Sequence, residues 1–259
     1  MLFQLSIATF STFVMVGLED IIYFLQNRYS VSRISPKDDD GTVTVTPISL
    51  RGQVNVFFSY FHMWVCIFVC SGMTPTMEYT WVPDRWLPVQ FLGFIVGLDT
   101  WYFWSHYTIH RIRFLYRNIH IKHHEHARVS VFDSGYSNLL DNLVAFAPPT
   151  ILLFRVTLAL MDDGAPVNVA NLVIIIWHVQ AIFSLSHSEY NFCRPLLFFF
   201  PLLLPYSYLP MITSNVHHLN HHLNQSSNYG AFFKGWDMFM HTIENPRKRF
   251  QRFTVNHPA

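Results

Sequence analysis

The chain has 259 residues; 51% are hydrophobic and 17% aromatic, while Asp, Glu, Lys and Arg make up only 13%, about half the share of an average soluble domain. A soluble protein of this size could not hide so much apolar surface behind so few charges, and a disordered, collagenous or disulfide-rich secreted chain is excluded as well. A formal net charge of +1 gives no global reason to bind nucleic acid.

In chain order, residues 1–18 carry no charged side chain, and no Lys or Arg precedes Arg28. Without a positive leading region or a small-x-small site, this segment reads as a retained span rather than a cleaved signal peptide. The loop 26–51 holds four basic residues and Asp38-Asp39-Asp40. Residues 52–77 are uncharged over 26 positions and residues 164–188 over 25; about 20 suffice to cross a hydrocarbon core as a helix. Two weaker spans are 87–105, interrupted by Asp99, and 142–161, interrupted by Arg155. The run Pro195–Ile212 contains Pro201, Pro205 and Pro210, so it reads as a broken, re-entrant or interfacial segment. Cys66, Cys70 and Cys193 form neither a disulfide framework nor a CxxC site.

Charge placement orients these spans. Arg111, Arg113, Arg117, Lys122 and Arg128 face only Glu125 in 111–128, and Lys234, Arg247, Lys248, Arg249 and Arg252 crowd 234–252. The loops 73–86 and 162–163 carry Glu78, Asp84, Asp162 and Asp163 with only Arg85. An excess of Lys and Arg marks cytosolic segments. The pattern predicts five crossings with the N-terminus outside. The expected fold class is all-α: a polytopic transmembrane helical protein with a cytosolic, histidine-rich metal-binding cap.

Histidine is the anomaly, with fifteen in the chain. Three boxes stand out: His106-Tyr-Thr-Ile-His110, His120-Ile-Lys-His123-His124, and His218-Leu-Asn-His221-His222. Spacings of three and four residues put side chains on one helical face, so each box can aim several imidazoles at one point. Eight imidazoles exceed the needs of one tetrahedral ion and suit a pair of metals. Iron, copper, zinc and nickel all accept imidazole. His187 ends an uncharged run and is expected beside the boxes as a ninth ligand. His126 and His217 adjoin boxes as ligands or supporting residues. Asp99, seven residues before His106, is placed to orient a ligand imidazole. His178 reads as a neutral, hydrogen-bonded histidine within a span. His62, His241 and His257 are not expected to be ligands. Metal transporters also combine histidines with apolar spans, but hold their ligands near the bilayer midplane; here the boxes follow the spans, next to Arg and Lys.

The order HxxxH, HxxHH, HxxHH resembles the fatty acid hydroxylase/sterol desaturase superfamily of integral-membrane di-iron oxygenases. Further motifs carry the likeness. Asp99-Thr-Trp-Tyr-Phe-Trp-Ser-His106 resembles the family's Asp-anchored helix into the first box. Phe114-Leu115-Tyr116-Arg117-Asn118-Ile119-His120 resembles its FLYR-x-x-H lead. His187-Ser188-Glu189-Tyr190 is similar to H-S-G-Y, and Asn228-Tyr229-Gly230 with Trp236-Asp237 is similar to the tail after the third box. The resemblance covers about residues 88–245. It departs from the family at Tyr107, where Arg is common, at Glu189 and His241, where Gly is usual, and at Asp141, near a usual Pro-x-Glu.

The resemblance implies residues 1–87 as N-terminal spans and a cytosolic loop, 88–245 as a fatty acid hydroxylase-like catalytic domain, and 246–259 as a basic tail. It implies two iron ions held by His106, His110, His120, His123, His124, His187, His218, His221 and His222, with Asp99, His217, Asn191 and His126 as supporting residues. The di-iron centre itself would be the catalyst, with no separate acid or base. The implied activity is O2-dependent hydroxylation of a lipid C–H bond in a sterol, sphingoid or fatty acyl substrate. A sterol C-5-type desaturase of the same superfamily is the alternative, and a non-catalytic metal-binding membrane protein a further one. Electrons would come from NAD(P)H through cytochrome b5 and its reductase, since the chain has no dinucleotide or haem motif of its own. The endoplasmic reticulum is the location the family implies.

Overall fold

The structure is a computed structural model that describes most positions between 5 and 21, and residues 50–72, 77–125, 134–159, 166–187 and 215–244. His126, Asn191, His257, Cys193 and the run 195–212 lie outside the described residues.

Described residues between 5 and 17 are helical (α1). Then come α2 (Leu50–Ser71), β1 (Tyr79–Thr80), α3 (Leu87–Arg111), the single turn α4 (Arg113–Leu115) and a π-helical turn at Tyr116–His120. After these follow α5 (Leu139–Ala159), β2 (Val167–Asn168), α6 (Val169–Ser186), α7 (Asn215–Leu223) and α8 (Gly235–Phe239). The fold is mostly helical; among the described residues the sheet is one parallel pair with Tyr79 opposite Val167 and Thr80 opposite Asn168.

Among the described residues, two helices are long and apolar enough to cross a membrane, Val54–Ser71 and Leu139–Ala159, and Val169–Phe183 is a shorter apolar stretch. α3 is 25 residues long, about 37 Å at 1.5 Å per residue.

Side-chain contacts fix the helix directions. Gln90 accepts from Asn171 at 2.9 Å near the starts of α3 and α6, and Tyr102 meets Phe183 at 5.2 Å near their ends. α3 and α6 therefore run side by side in one direction. α2 and α5 run the other way: Asn142 donates to Ser59 at 2.6 Å, Phe68 packs on Phe154 at 5.7 Å, and Arg155 Nε donates to the Cys70 carbonyl at 3.2 Å. The bundle thus has two distinct ends.

One end is closed by the strand pair and a polar knot. Asn171 and Asn168 donate to the two Asp84 carboxylate oxygens at 2.7 and 2.9 Å, and Asp84 also accepts the Trp86 N–H. Burial raises the Asp84 carboxyl, but these hydrogen bonds, with the Arg85 charge, together outweigh it and hold it below its ordinary value. Pro88 sits in the first turn of α3, where a missing N–H costs nothing. α5 begins three residues earlier than the uncharged run implied, because Asn138 Oδ1 accepts the Leu140 N–H at 3.0 Å and starts the helix. That shift places Asp141 in the first turn of α5, at the opposite end of the bundle.

Candidate metal centre

All nine proposed ligand histidines collect at the end where α3 and α6 stop and α5 starts. His106 and His110 come from the last turns of α3, and Ile112 leaves the helix in an extended conformation, φ −102° and ψ 102°. His120 closes the π-helical turn, whose wide ring joins the Ile121 N–H to the Tyr116 carbonyl at 2.8 Å. Such turns insert an extra residue and re-aim the side chains that follow. His187 directly follows α6, and α7 carries His218, His221 and His222.

The imidazoles form two groups. His106, His110, His120, His124 and His221 make one; His123, His187, His218 and His222 make the other; within each, one nitrogen per ring lies within 4.8 Å of all the rest. The boxes are shared crosswise. The second box gives its i, i+4 pair to the first group and its middle histidine to the second. The third box does the reverse. Both i+3 and i+4 stay on the face of i but on opposite sides of it, so two adjacent groups can divide one box between them. The groups touch: the His124 and His222 rings are 4.6 Å apart, and those of His120 and His123 5.0 Å.

The far side of several rings sets where the lone pairs point. Nδ1 of His106 faces the Tyr229 carbonyl at 2.9 Å, that of His221 the Ser227 carbonyl at 2.7 Å, and that of His187 the Phe183 carbonyl at 2.7 Å. Nδ1 of His120 faces the Asp141 carboxylate at 2.8 Å, with both groups buried. A carbonyl or carboxylate only accepts, so each Nδ1 carries the hydrogen and each Nε2 keeps its lone pair. Those lone pairs converge. His106 Nε2 is 3.0 Å from His120 Nε2 and 3.2 Å from His110 Nε2, and His187 Nε2 is 3.0 Å from His218 Nε2 and 3.3 Å from His123 Nε2. Metal–nitrogen bonds of about 2.0–2.1 Å hold ligand nitrogens roughly 3–4 Å apart. The donor set fits two imidazole-bound cations.

Electrostatics keeps the rings available. Burial, and then the neighbouring imidazoles, hold His106, His123, His124 and His218 well below the ordinary histidine value, and His221 at about 3. Neutral rings offer lone pairs without first losing a proton.

Other residues expected near the site have different partners. Among the described residues Asp99 meets no imidazole; its Oδ1 accepts the Phe232 and Phe233 N–H groups at 2.8 and 3.0 Å, tying the chain after the third box to α3. The His217 ring stands outside both groups, with Nε2 on Asp237 at 3.0 Å. Burial pushes the Asp237 carboxyl up, but His217, Thr242 and the Gly230 N–H outweigh it and hold it below its ordinary value. The same carboxylate accepts the Tyr229 and Gly230 N–H groups at 2.9 and 2.8 Å, so it positions the carbonyl that holds His106. His178 contacts the Ile174 carbonyl of its own helix at 2.7 Å, and His62 the Phe58 carbonyl at 2.6 Å.

Asp141 was visible in the sequence only as a departure from the family; a lone acid opening an apolar helix was the available signal. Tyr229 and Ser227 act through backbone carbonyls, for which no residue type is a signal. In the tail, Asn228 adopts φ 58° and Gly230 has no space for a Cβ, which would lie 2.5 Å from the Phe233 carbonyl oxygen. His241, where the family usually has Gly, adopts φ 54°, a left-handed conformation that favours Gly.

Together these features define a helical protein with a candidate two-cation centre of imidazoles at one end of its bundle. The fatty acid hydroxylase model matches residues 91–242, and the chain belongs to that family. It is 31% identical over 191 residues to methylsterol monooxygenase erg25A of Aspergillus fumigatus, covering 70% of this chain and 55% of that protein. It is 28% identical over 155 residues to methylsterol monooxygenase 1 of Rattus norvegicus, covering 58% and 45%. It is 25% identical over 160 residues to lathosterol oxidase of Homo sapiens, covering 62% and 46%. The chain thus spans about half the length of the curated relatives it matches. No solved structure matches it significantly.

Proposed function

We propose that this chain is a membrane-bound, O2-dependent di-iron oxidoreductase that hydroxylates a C–H bond of a lipid, most consistent with a sterol. The carrying observation is the pair of imidazole groups whose lone pairs converge on two adjacent points. Family membership and relatives that are by name sterol monooxygenases and oxidases support it.

Two irons held by His106, His110, His120, His124 and His221, and by His123, His187, His218 and His222, would supply the activation of dioxygen. For each C–H bond converted to an alcohol, one dioxygen, two electrons and two protons are consumed and one water is released. The protein's own residues do the rest. Asp141, Tyr229, Ser227 and Phe183 fix ring orientation. Tyr102, Phe146 and Phe183 line the space beside His106, His120, His123 and His187 and keep bulk water from the reacting carbon. Electrons come from NAD(P)H through a separate carrier, cytochrome b5.

The helices α2, α3, α5 and α6, with a span near the N-terminus, cross the membrane in alternating directions. The histidine end, next to Arg111, Arg113 and Arg117, faces the cytosol, and the membrane is that of the endoplasmic reticulum. The likeness to lathosterol oxidase supports a second outcome at the same site, desaturation, in which a second hydrogen is removed from the neighbouring carbon.

Lipid profiling of cells with and without the chain, using His124→Ala as control, tests the reading. One oxidised lipid should rise, and its precursor fall, only with the unaltered chain. Identical profiles for the chain and its His124→Ala variant would refute it.

A further inference from the structure

A large cavity lies toward the other end of the bundle, where β1 and β2 pair. Its volume is about 450 Å³, within the range of sites that enclose a small organic molecule. α1 gives Phe10 to its wall, α2 gives Trp64 and Phe68, α5 gives Phe154, and α6 gives Leu172 and Trp177. It shares no lining residue with the space beside the histidines. Along α6, Gln180 falls between Trp177 of this cavity and Phe183 of the other, and it donates to the Tyr60 hydroxyl at 2.6 Å with both side chains buried. That bond is a partition between the two.

Trp64 stands out on this wall. It is 3% exposed and stacks on Phe68 with ring centroids 5.5 Å apart, yet its indole N–H has no acceptor among the described residues. A buried Trp N–H normally finds a partner, and an unpaired one calls for a ligand or a water. So apolar a lining offers an isolated water few of the about two to four polar partners it needs. No charged side chain lines the cavity, so a carboxylate or phosphate inside it would lie unpaired, at a high cost.

We propose that this cavity holds a second lipid, one that is not oxidised: a neutral lipid without a charged headgroup, whose hydroxyl, ketone or ester oxygen accepts the Trp64 N–H. Depth carries the choice. Trp64 lies near the middle of the apolar helix Val54–Ser71, which places its N–H near the centre of a bilayer that this helix crosses. A phospholipid offers only hydrocarbon at that depth, because its charged headgroup holds its oxygens at the interface. A lipid with no such headgroup can carry an oxygen to the centre. Phe10 and Trp81 on the cavity's rim are exposed, so it opens at the surface of the bundle. The inference rests on the reading that α2 crosses the membrane and is independent of the oxidation chemistry.

The test uses the full chain in phosphatidylcholine nanodiscs with three photoactivatable probes bearing the same diazirine in their apolar part: a sterol alcohol, a diacylglycerol and a phosphatidylcholine. Labelled residues are mapped by mass spectrometry after irradiation. At least one neutral probe should label buried Leu172 saturably, and comparing the two tells a ring lipid from an acyl lipid. The phosphatidylcholine probe should label exposed Val69 of α2 and not Leu172. Trp64→Phe keeps an aromatic ring and loses an N–H with no acceptor among the described residues, so it should fold normally. It should weaken half-saturation of Leu172 labelling about tenfold, the size of one lost hydrogen bond. His124→Ala, which alters the metal centre, should label as the unaltered chain does. Equal labelling of Leu172 by all three probes, no labelling by either neutral probe, or unchanged labelling in Trp64→Phe overturns the proposal. Lost labelling in His124→Ala also overturns it, since the cavity would then be an annex of the metal centre. If the phosphatidylcholine probe labels neither Val69 nor any other exposed residue of α2, the membrane reading of that helix falls too.

Discussion

His120 and Asp141 lie 21 residues apart, and their side chains meet at 2.8 Å between Nδ1 and Oδ2 in a buried contact. The contact joins the π-helical turn to the first turn of α5. It fixes the His120 hydrogen on Nδ1 and turns Nε2 toward His106 and His124. Carboxylates behind ligand histidines commonly tune metal affinity by 10–100-fold. Asp141→Ala should therefore weaken iron binding by about that factor. A competitive chelator titration of purified protein measures it, and unaltered affinity would show that the carboxylate is idle.

The two imidazole groups predict metal content. Anaerobically reconstituted protein should hold close to two irons per chain. His218→Ala removes a ligand of the second group alone and should lower the content toward one. A content of one or less in fully active protein would rule out the dinuclear centre.

Activity should follow the same residues. His123→Ala should abolish lipid oxidation and leave membrane insertion intact, because His123 lies beyond the apolar helix α3. His62→Ala, on α2 and outside both groups, should keep activity. Retained oxidation by His123→Ala would reopen the non-catalytic metal-binding alternative.

The tail after the third box carries two opposite predictions. Gly230→Ala places a Cβ 2.5 Å from the Phe233 carbonyl oxygen and 2.9 Å from Asp237 Oδ2. Backbone must move, at a cost of about 1–3 kcal/mol, and the Tyr229 carbonyl that holds His106 moves with it. His241→Gly relieves a left-handed residue at φ 54° and should stabilise by about 0.5–1 kcal/mol. Thermal unfolding of the detergent-solubilised variants should show shifts of opposite sign.

The opposed ends of the bundle can be tested in cells. A glycosylation acceptor within 111–118 should stay unmodified, and one near 162–166 should be modified. The reverse result would invert the orientation.

The sequence by itself marked the family and the candidate site. Charge-poor runs and histidine spacing are local properties, and both are legible because helix period and membrane thickness are fixed lengths. They sufficed to single out as candidates the nine imidazoles that the two groups contain, His187 among them, and to point to the family. They placed Tyr79 in the loop 73–86 but Asn168 inside the uncharged run 164–188, and the structure pairs the two segments as β1 and β2.

Only the tertiary structure decided how the histidines are divided. The second and third boxes each split between the groups, because i+3 and i+4 lie on opposite sides of i and the π-helical turn re-aims the second box. Tertiary structure also decided what stands behind each ring. Asp99 was expected to orient an imidazole, yet two backbone N–H groups claim its carboxylate, while Asp141, 21 residues beyond His120, takes the orienting place. Carbonyls of Tyr229, Ser227 and Phe183 hold three more rings. A backbone carbonyl is the same at every residue, so sequence carries no mark of it. Its position exists only once helices far apart in the chain have packed.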